Sequence, residues 1–511
     1  MVRKEFSLPW PSRRRSSEFW RISCLNEVSG ERFRFNMTGY FDHLDLASLS
    51  NTTVVREIVE RDQRASQVPG IVSRITELAG LVSSLNSPGV TDDSRAVVVY
   101  APGRIEVLGK HTDYAGGSSL TCAVNHSFVF VAVVSDEPGV RMQDMVLSSS
   151  DFLPYENTQD TVRSSWLSYP ASVVERFVVN FKSPDKGISL AFSNTIPRAS
   201  GMSSSSALIV GIYLCMAALA EPELTPGFAE HLLTGADLAD YLGSVENGYD
   251  FKGLVGRAGV GTQGGAQDHT AVLFSEMGKL GYFGYRPLRR LGSVALPDDS
   301  VFIIGSSGVR ARKSQGAREL YNNAVALATE SLSRWNQATG TRFETLGDLV
   351  SDSGFSLGQF REVMTDVELS QAKALTRRMR HFYEETESII PSAIQALRTG
   401  NVEQFGLEVD RSQELTDSLL GNLVPETRFL AKSARKLGVL ASSAFGAGFG
   451  GSVWALAPRQ DADRIMREWM ADYGQSFPDR IRHARFFVDP TGPGAFVMGS
   501  AADTLLLQPK F

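Results

Sequence analysis

Cysteine is scarce, with three in 511 residues. Cys24, Cys122 and Cys215 lie far apart and form no C-x-x-C. No disulfide framework or thiolate metal motif is read here, and a reducing, cytoplasmic setting is expected. The seven histidines are scattered and none belongs to an H-E-x-x-H, so zinc is not expected. An excess of positive charge is missing too. The net charge is −6, so no global basic field draws the chain to nucleic acid or to an anionic membrane. No apolar run reaches membrane-spanning length, and the longest, Ala207–Ala220, fits a buried helix. Arg13, Arg14 and Arg15 precede no apolar stretch, so a secretory signal is not expected. Met37 is a candidate alternative start. What is present is an ordinary globular balance, 42% hydrophobic and 21% charged, in a chain long enough for two or three domains.

Residues 1–95 read as an N-terminal extension. About its first 36 residues are basic and weakly periodic, a solvated tail suited to disorder, and helical spacing follows at Ile71, Ile75 and Leu78. Ala96–Tyr100 (AVVVY) reads as a buried strand that ends at Pro102-Gly103, and Phe128–Val134 as a second strand. A boundary near 295 divides a first lobe, 96–295, from a second, 296–511. Helical patterns dominate 316–437, and the chain ends in a glycine-rich turn, a strand, a helix and a strand. This mixture predicts a two-lobed α+β fold with its ligand between the lobes.

Four stretches carry chemistry. Residues 103–117 read GRIEVLGKHTDYAGG, which nearly matches a phosphate-binding P-loop. The glycine spacing is one residue too long, and His111 stands where Ser or Thr should be. Residues 196–208, IPRASGMSSSSAL, place Gly201 and four serines at the start of the long apolar helix. A helix N-terminus with free N–H groups suits phosphate. A serine-rich cap is the plainer reading of the same residues. Residues 259–274, GVGTQGGAQDHTAVLF, set Asp268 among glycines directly before what reads as an apolar strand. A carboxylate there suits a general base, or a simple turn. Residues 445–451, FGAGFGG, form a turn that comes too late in the chain for a dinucleotide-binding half.

Together and in this order, these stretches resemble the GHMP kinase superfamily, and most closely its galactokinase branch. Gly103–Gly117 follows the sugar signature of that branch. Pro197, Gly201 and Ser203–Ser206 follow its phosphate motif, Gly265–His269 its catalytic segment, and Gly446–Gly451 its final glycine motif. The resemblance covers about residues 96–490. It implies a ribosomal S5-like N-terminal lobe and a ferredoxin-like C-terminal lobe. It also implies ATP and Mg²⁺ as cofactors and a small sugar as acceptor, with no nucleic acid or membrane partner and a monomer or weak homo-oligomer. Asp268 would take or orient the proton of the sugar hydroxyl, with Arg104 beside it. His111, Asp113, Gly265 and Tyr321 would contact the sugar. Gly201, Ser203, Ser204, Ser205 and Ser206 would hold ATP, and Ser205 and Glu246 the metal.

The departures from the family pattern concern the substrate. Glu106 replaces the usual Asn, His269 the usual Gln, and Lys110 the usual Glu. The glycine-rich segment 248–265 is longer than in ordinary galactokinases. A lysine has three donors and no acceptor, so Lys110 could pair with a carboxylate at C6, donate to O6, or turn away to solvent. Two substrates follow: a neutral, galactose-like sugar phosphorylated at its anomeric hydroxyl, or a uronic acid read by Lys110. A catalytically silent sugar- and ATP-binding regulator is a third reading.

Overall fold

The computed structural model describes residues 44–147, 150–156, 166–197, 200–220, 226–309 and 315–498. The basic tail 1–36 and Cys24 lie outside them.

The first lobe is built on an eight-stranded sheet. Its strands are β1 (Ala96–Leu108), β2 (Ser118–Ser135), β3 (Gly139–Asp144), β4 (Ser150–Pro154), β5 (Gly187–Asn194), β6 (Lys279–Gly284) and β7 (Arg289–Ala295). The eighth is a short strand, Phe496–Val497, close to the chain's end, which pairs antiparallel with β1. Its arrival brings the C-terminal end back to the first lobe. The run AVVVY is apolar throughout because both faces of β1 are covered. Val97, Val99 and Ala101 face a core built largely from the helix Ser204–Ala220 and its neighbours. Ala96, Val98 and Tyr100 face the helices Leu46–Ser50, Thr52–Arg61 and Ile71–Ser84. The N-terminal extension thus closes the far side of the sheet. Arg74 anchors it, with its guanidinium donating to Ser193 Oγ at 2.9 Å and to Ser127 O at 2.8 Å.

The second lobe carries β8 (Ser300–Ser306), β9 (Ala441–Ala444), β10 (Ser452–Pro458) and β11 (Arg485–Asp489) in one antiparallel sheet. Side chains alternate across it, as the period of two requires. Val301, Ile303, Val453 and Ala455 pack toward the helices Pro425–Lys436 and Ala462–Ser476. Phe302, Ile304, Trp454 and Leu456 turn toward the core shared with the first lobe. Between the sheets, the helices Gln315–Thr339 and Leu369–Tyr383 pack with Tyr114 and Ala115 of the 103–117 stretch.

Two local expectations are corrected. β1 does not stop at Pro102-Gly103. It crosses an irregularity between Pro102 and Arg104 and runs to Leu108, so GRIEVL is strand. The segment after Asp268 is the helix Gln267–Phe274, with Asp268 in its first turn. A four-residue apolar run does not distinguish a strand from a fully buried helix turn, and Ala271 to Phe274 are all buried. No helix among the described residues is long and apolar enough to cross a membrane.

Candidate active site

The four stretches meet at one cleft lined largely by polar and charged side chains. Alternation along β1 sends Ile105 and Val107 into the core and puts Arg104 and Glu106 on the cleft. Arg104 is buried. Its Nε and Nη2 both lie 2.7 Å from Asp268 Oδ1. Its Nη1 donates to Gly201 O in the serine stretch. Ser203 donates to Asp268 Oδ2. A carboxylate offers about four acceptor sites, so among the described residues these three donors leave one on Oδ2.

Asp113 binds the sugar-like stretch to the Asp268 segment. Its Oδ2 accepts from the Gln267 backbone N–H at 3.2 Å. A Cβ on Gly265 would lie 2.4 Å from that oxygen, so only glycine allows this approach. Burial raises the Asp113 carboxyl above its ordinary value, and backbone N–H groups partly offset this.

The tautomer of His111 follows from its partners. Arg378 donates to Tyr114 Oη at 3.3 Å, so Tyr114 gives its own proton to His111 Nδ1, 3.0 Å away. Nε2 then carries the ring proton and points at Ala447 O, 3.3 Å away. Burial, reinforced by Arg378, lowers His111 to about 4, so the ring is neutral at ordinary pH. Tyr321 reaches the cleft from the second lobe, with its ring 5.0 Å from that of His111. Three residues with left-handed backbones, His111, Ser203 and Phe449, cluster here. Such strain tends to gather where a ligand is bound.

The serine stretch divides its work. Ser204 and Ser205 are half-buried at the start of the helix Ser204–Ala220. Ser206 lines the cleft and donates to Glu246 Oε2 at 2.9 Å. The hydroxyl that meets Glu246 is that of Ser206, the neighbour of Ser205. His269 Nε2 also approaches Glu246 Oε2, at 3.3 Å.

Lys110 is the main correction. It does not line the cleft. β1 has ended, and Gly109, with φ +99°, turns the chain so that Lys110 runs into the protein. The residue is 1% exposed, and its ammonium donates to Ser443 Oγ at 2.9 Å and Ser412 Oγ at 3.3 Å. Ser412 in turn donates to Glu385 Oε1, which also accepts from the Gly109 N–H at 2.8 Å. Among the described residues, Arg104 is the only lysine or arginine lining the cleft, against the carboxylates Glu106, Asp113, Glu246 and Asp268.

Sequence reasoning missed Gln267, Arg378, Glu385, Ser412 and Ser443. Only Gln267 carried a signal, being a polar residue directly ahead of the candidate base. The others reach the site from segments more than 260 residues away from their partners.

Family descriptions match three parts of the chain. They are the galactokinase galactose-binding signature over 90–134, the GHMP kinases N terminal domain over 168–276, and the GHMP kinases C terminal over 393–475. A galactokinase of Enterococcus faecalis is 27% identical over 407 residues, covering 76% of this chain and 91% of the relative. One of Clostridium perfringens is 25% identical over 415 residues, covering 77% and 93%. The crystal structure of Lactococcus lactis galactokinase complexed with galactose has a similar fold. Its TM-score is 0.65 at 22% identity, over 82% of this chain and 99% of that one.

Proposed function

This chain is a galactokinase-like GHMP kinase, and on that premise we propose that it transfers the γ-phosphoryl group of ATP to the anomeric hydroxyl of galactose or a galactose-like sugar. The observation that carries the reading is the Arg104–Asp268–Ser203 cluster at the cleft. The free site on Asp268 Oδ2 receives the sugar hydroxyl's proton as its oxygen bonds to the γ-phosphorus. The bond to ADP breaks and ADP leaves with its electron pair. Arg104 orients the Asp268 carboxylate and offsets charge on the moving phosphoryl group. Positioning and electrostatics supply most of the rate gain in such a transfer. His111, Asp113 and Tyr321 orient the sugar. The serine stretch and its helix N-terminus receive the ATP phosphates.

The Ser206 hydroxyl and the Glu246 carboxylate are hard oxygen donors, which fit Mg²⁺ completed by phosphate and water. Bound there, Mg²⁺ would neutralise phosphate charge.

A neutral sugar is favoured over a uronic acid. Among the described residues the cleft holds four carboxylates and one guanidinium, and the Lys110 ammonium is engaged elsewhere. The intact Arg104–Asp268 pair speaks against a silent regulator. The test is ADP release by the purified protein with Mg-ATP across a sugar panel that includes galactose and galacturonate. Turnover with galactose is the expected result. Preference for galacturonate, or no turnover with any sugar, refutes the reading.

A further inference from the structure

The mechanism above makes no use of Glu106 and Gln267, although both are buried and line the cleft. Gln267 Nε2 donates to Glu106 Oε2 at 2.7 Å, which fixes the orientation of both groups. Their other oxygens, Glu106 Oε1 and Gln267 Oε1, have no partner. A buried acceptor without a donor is costly. The nearby cations cannot supply both. Arg104 is committed to Asp268 and to Gly201 O, and Lys110 to Ser412 and Ser443. Among the described residues no other donor reaches either oxygen, and both side chains line the cleft where a ligand can supply one.

We propose that Glu106 and Gln267 form a fork of two acceptors that receives two hydroxyl groups of the substrate, which makes both residues specificity determinants. The inference rests on the sugar-kinase reading and adds what this chain's own residues select. A fork of acceptors favours hydroxyls at both positions and rejects a deoxy sugar, which leaves one oxygen buried and unpaired. It also rejects a carboxylate, which brings acceptors where donors are needed. Burial holds the Glu106 carboxyl up at about 7, with Arg104 and Lys110 opposing and Asp268 reinforcing the rise. Hydroxyl donors favour its ionised form, so sugar binding near neutral pH releases protons.

The experiment compares wild type, Glu106→Gln and Gln267→Met on galactose and its 2-, 3-, 4- and 6-deoxy analogues. It reads kcat/KM, and it reads Kd by calorimetry in buffers of different ionisation enthalpy. Wild type is expected to lose on the order of 10- to 100-fold in kcat/KM on two of the analogues. Each variant should become nearly indifferent to one of those two deletions. The proton release on binding should disappear in Glu106→Gln and persist in Gln267→Met. Melting curves establish that each variant folds, and Gln267→Met carries the test alone if Glu106→Gln does not. Variants that keep the wild-type ranking over the whole panel overturn the fork. A wild type that binds and phosphorylates no sugar overturns the kinase reading itself, and that is seen before any variant is made.

Discussion

Arg104 meets Asp268 through Nε and Nη2, both 2.7 Å from a single carboxylate oxygen, while its third nitrogen holds the backbone of Gly201. One side chain from β1 thereby ties the candidate base to the stretch proposed to hold phosphate. The side chain is rigid and planar, and lysine reproduces neither its paired contact nor its reach to the loop. Arg104→Lys is expected to lower kcat on the order of 100-fold, the usual loss when one preorganised donor is removed from a reacting centre. Steady-state kinetics check this, and a variant within threefold of wild type would show the guanidinium to be dispensable.

Lys110 makes a stability prediction and a negative specificity prediction. Lys110→Glu places a carboxylate in a dry site, where Glu385 already has one oxygen without a partner. Destabilisation of about 3–5 kcal/mol is expected in urea unfolding, the range for an uncompensated buried charge. The galactose-to-galacturonate preference of the folded fraction should not change. A reversal of that preference would return Lys110 to the substrate.

Glu106 gives a pH dependence of stability. Its folded value of about 7 lies above the ordinary 4.5, and burial is the main cause. Between these values the folded chain keeps a proton that the unfolded chain releases. Stability therefore falls as pH rises from 4.5 through 7. Glu106→Gln lacks this term, so its stability relative to wild type should rise by about 2–3 kcal/mol between pH 5 and pH 8. His111 runs the other way, drawn down to about 4, with its stability fully present above 6.5 and lost as pH falls through 4. It is common to both proteins and cancels in the comparison. A gap between the two unfolding curves that does not change with pH would contradict the burial of a titrating Glu106.

Glu246 accepts from Ser206 at 2.9 Å on the side of the cleft assigned to the metal. Glu246→Gln should raise the Mg²⁺ concentration for half-maximal activity on the order of 10- to 100-fold, as losses of metal-site partners typically do. Titration of activity with Mg²⁺ at fixed ATP measures this. An unchanged titration would place the metal elsewhere.

Much of the site was legible because its residue types are demanding. Glycine at 265 answers to a carboxylate 2.4 Å from where a side chain would begin, and such a need is met by few residues. The spacing of Ile71, Ile75 and Leu78 announced a helix. It could not say that the helix covers the second face of β1, because helical spacing marks a buried face without naming what buries it. Lys110 was misplaced for the same reason. Its direction is set by a left-handed Gly109 and by Ser412 and Ser443, some 300 residues away, and nothing local encodes those partners. The strand expected after Asp268 became a helix because four apolar residues satisfy either period when every side is buried.

The role of Asp268 is tested most directly by Asp268→Asn, with single-turnover phosphoryl transfer and calorimetric sugar binding measured on the same protein. The substitution keeps the shape and removes the proton acceptor. Transfer should slow on the order of 100- to 10,000-fold while the sugar Kd stays within about threefold. Transfer within tenfold of wild type would contradict the assignment of Asp268 as the group that takes the proton.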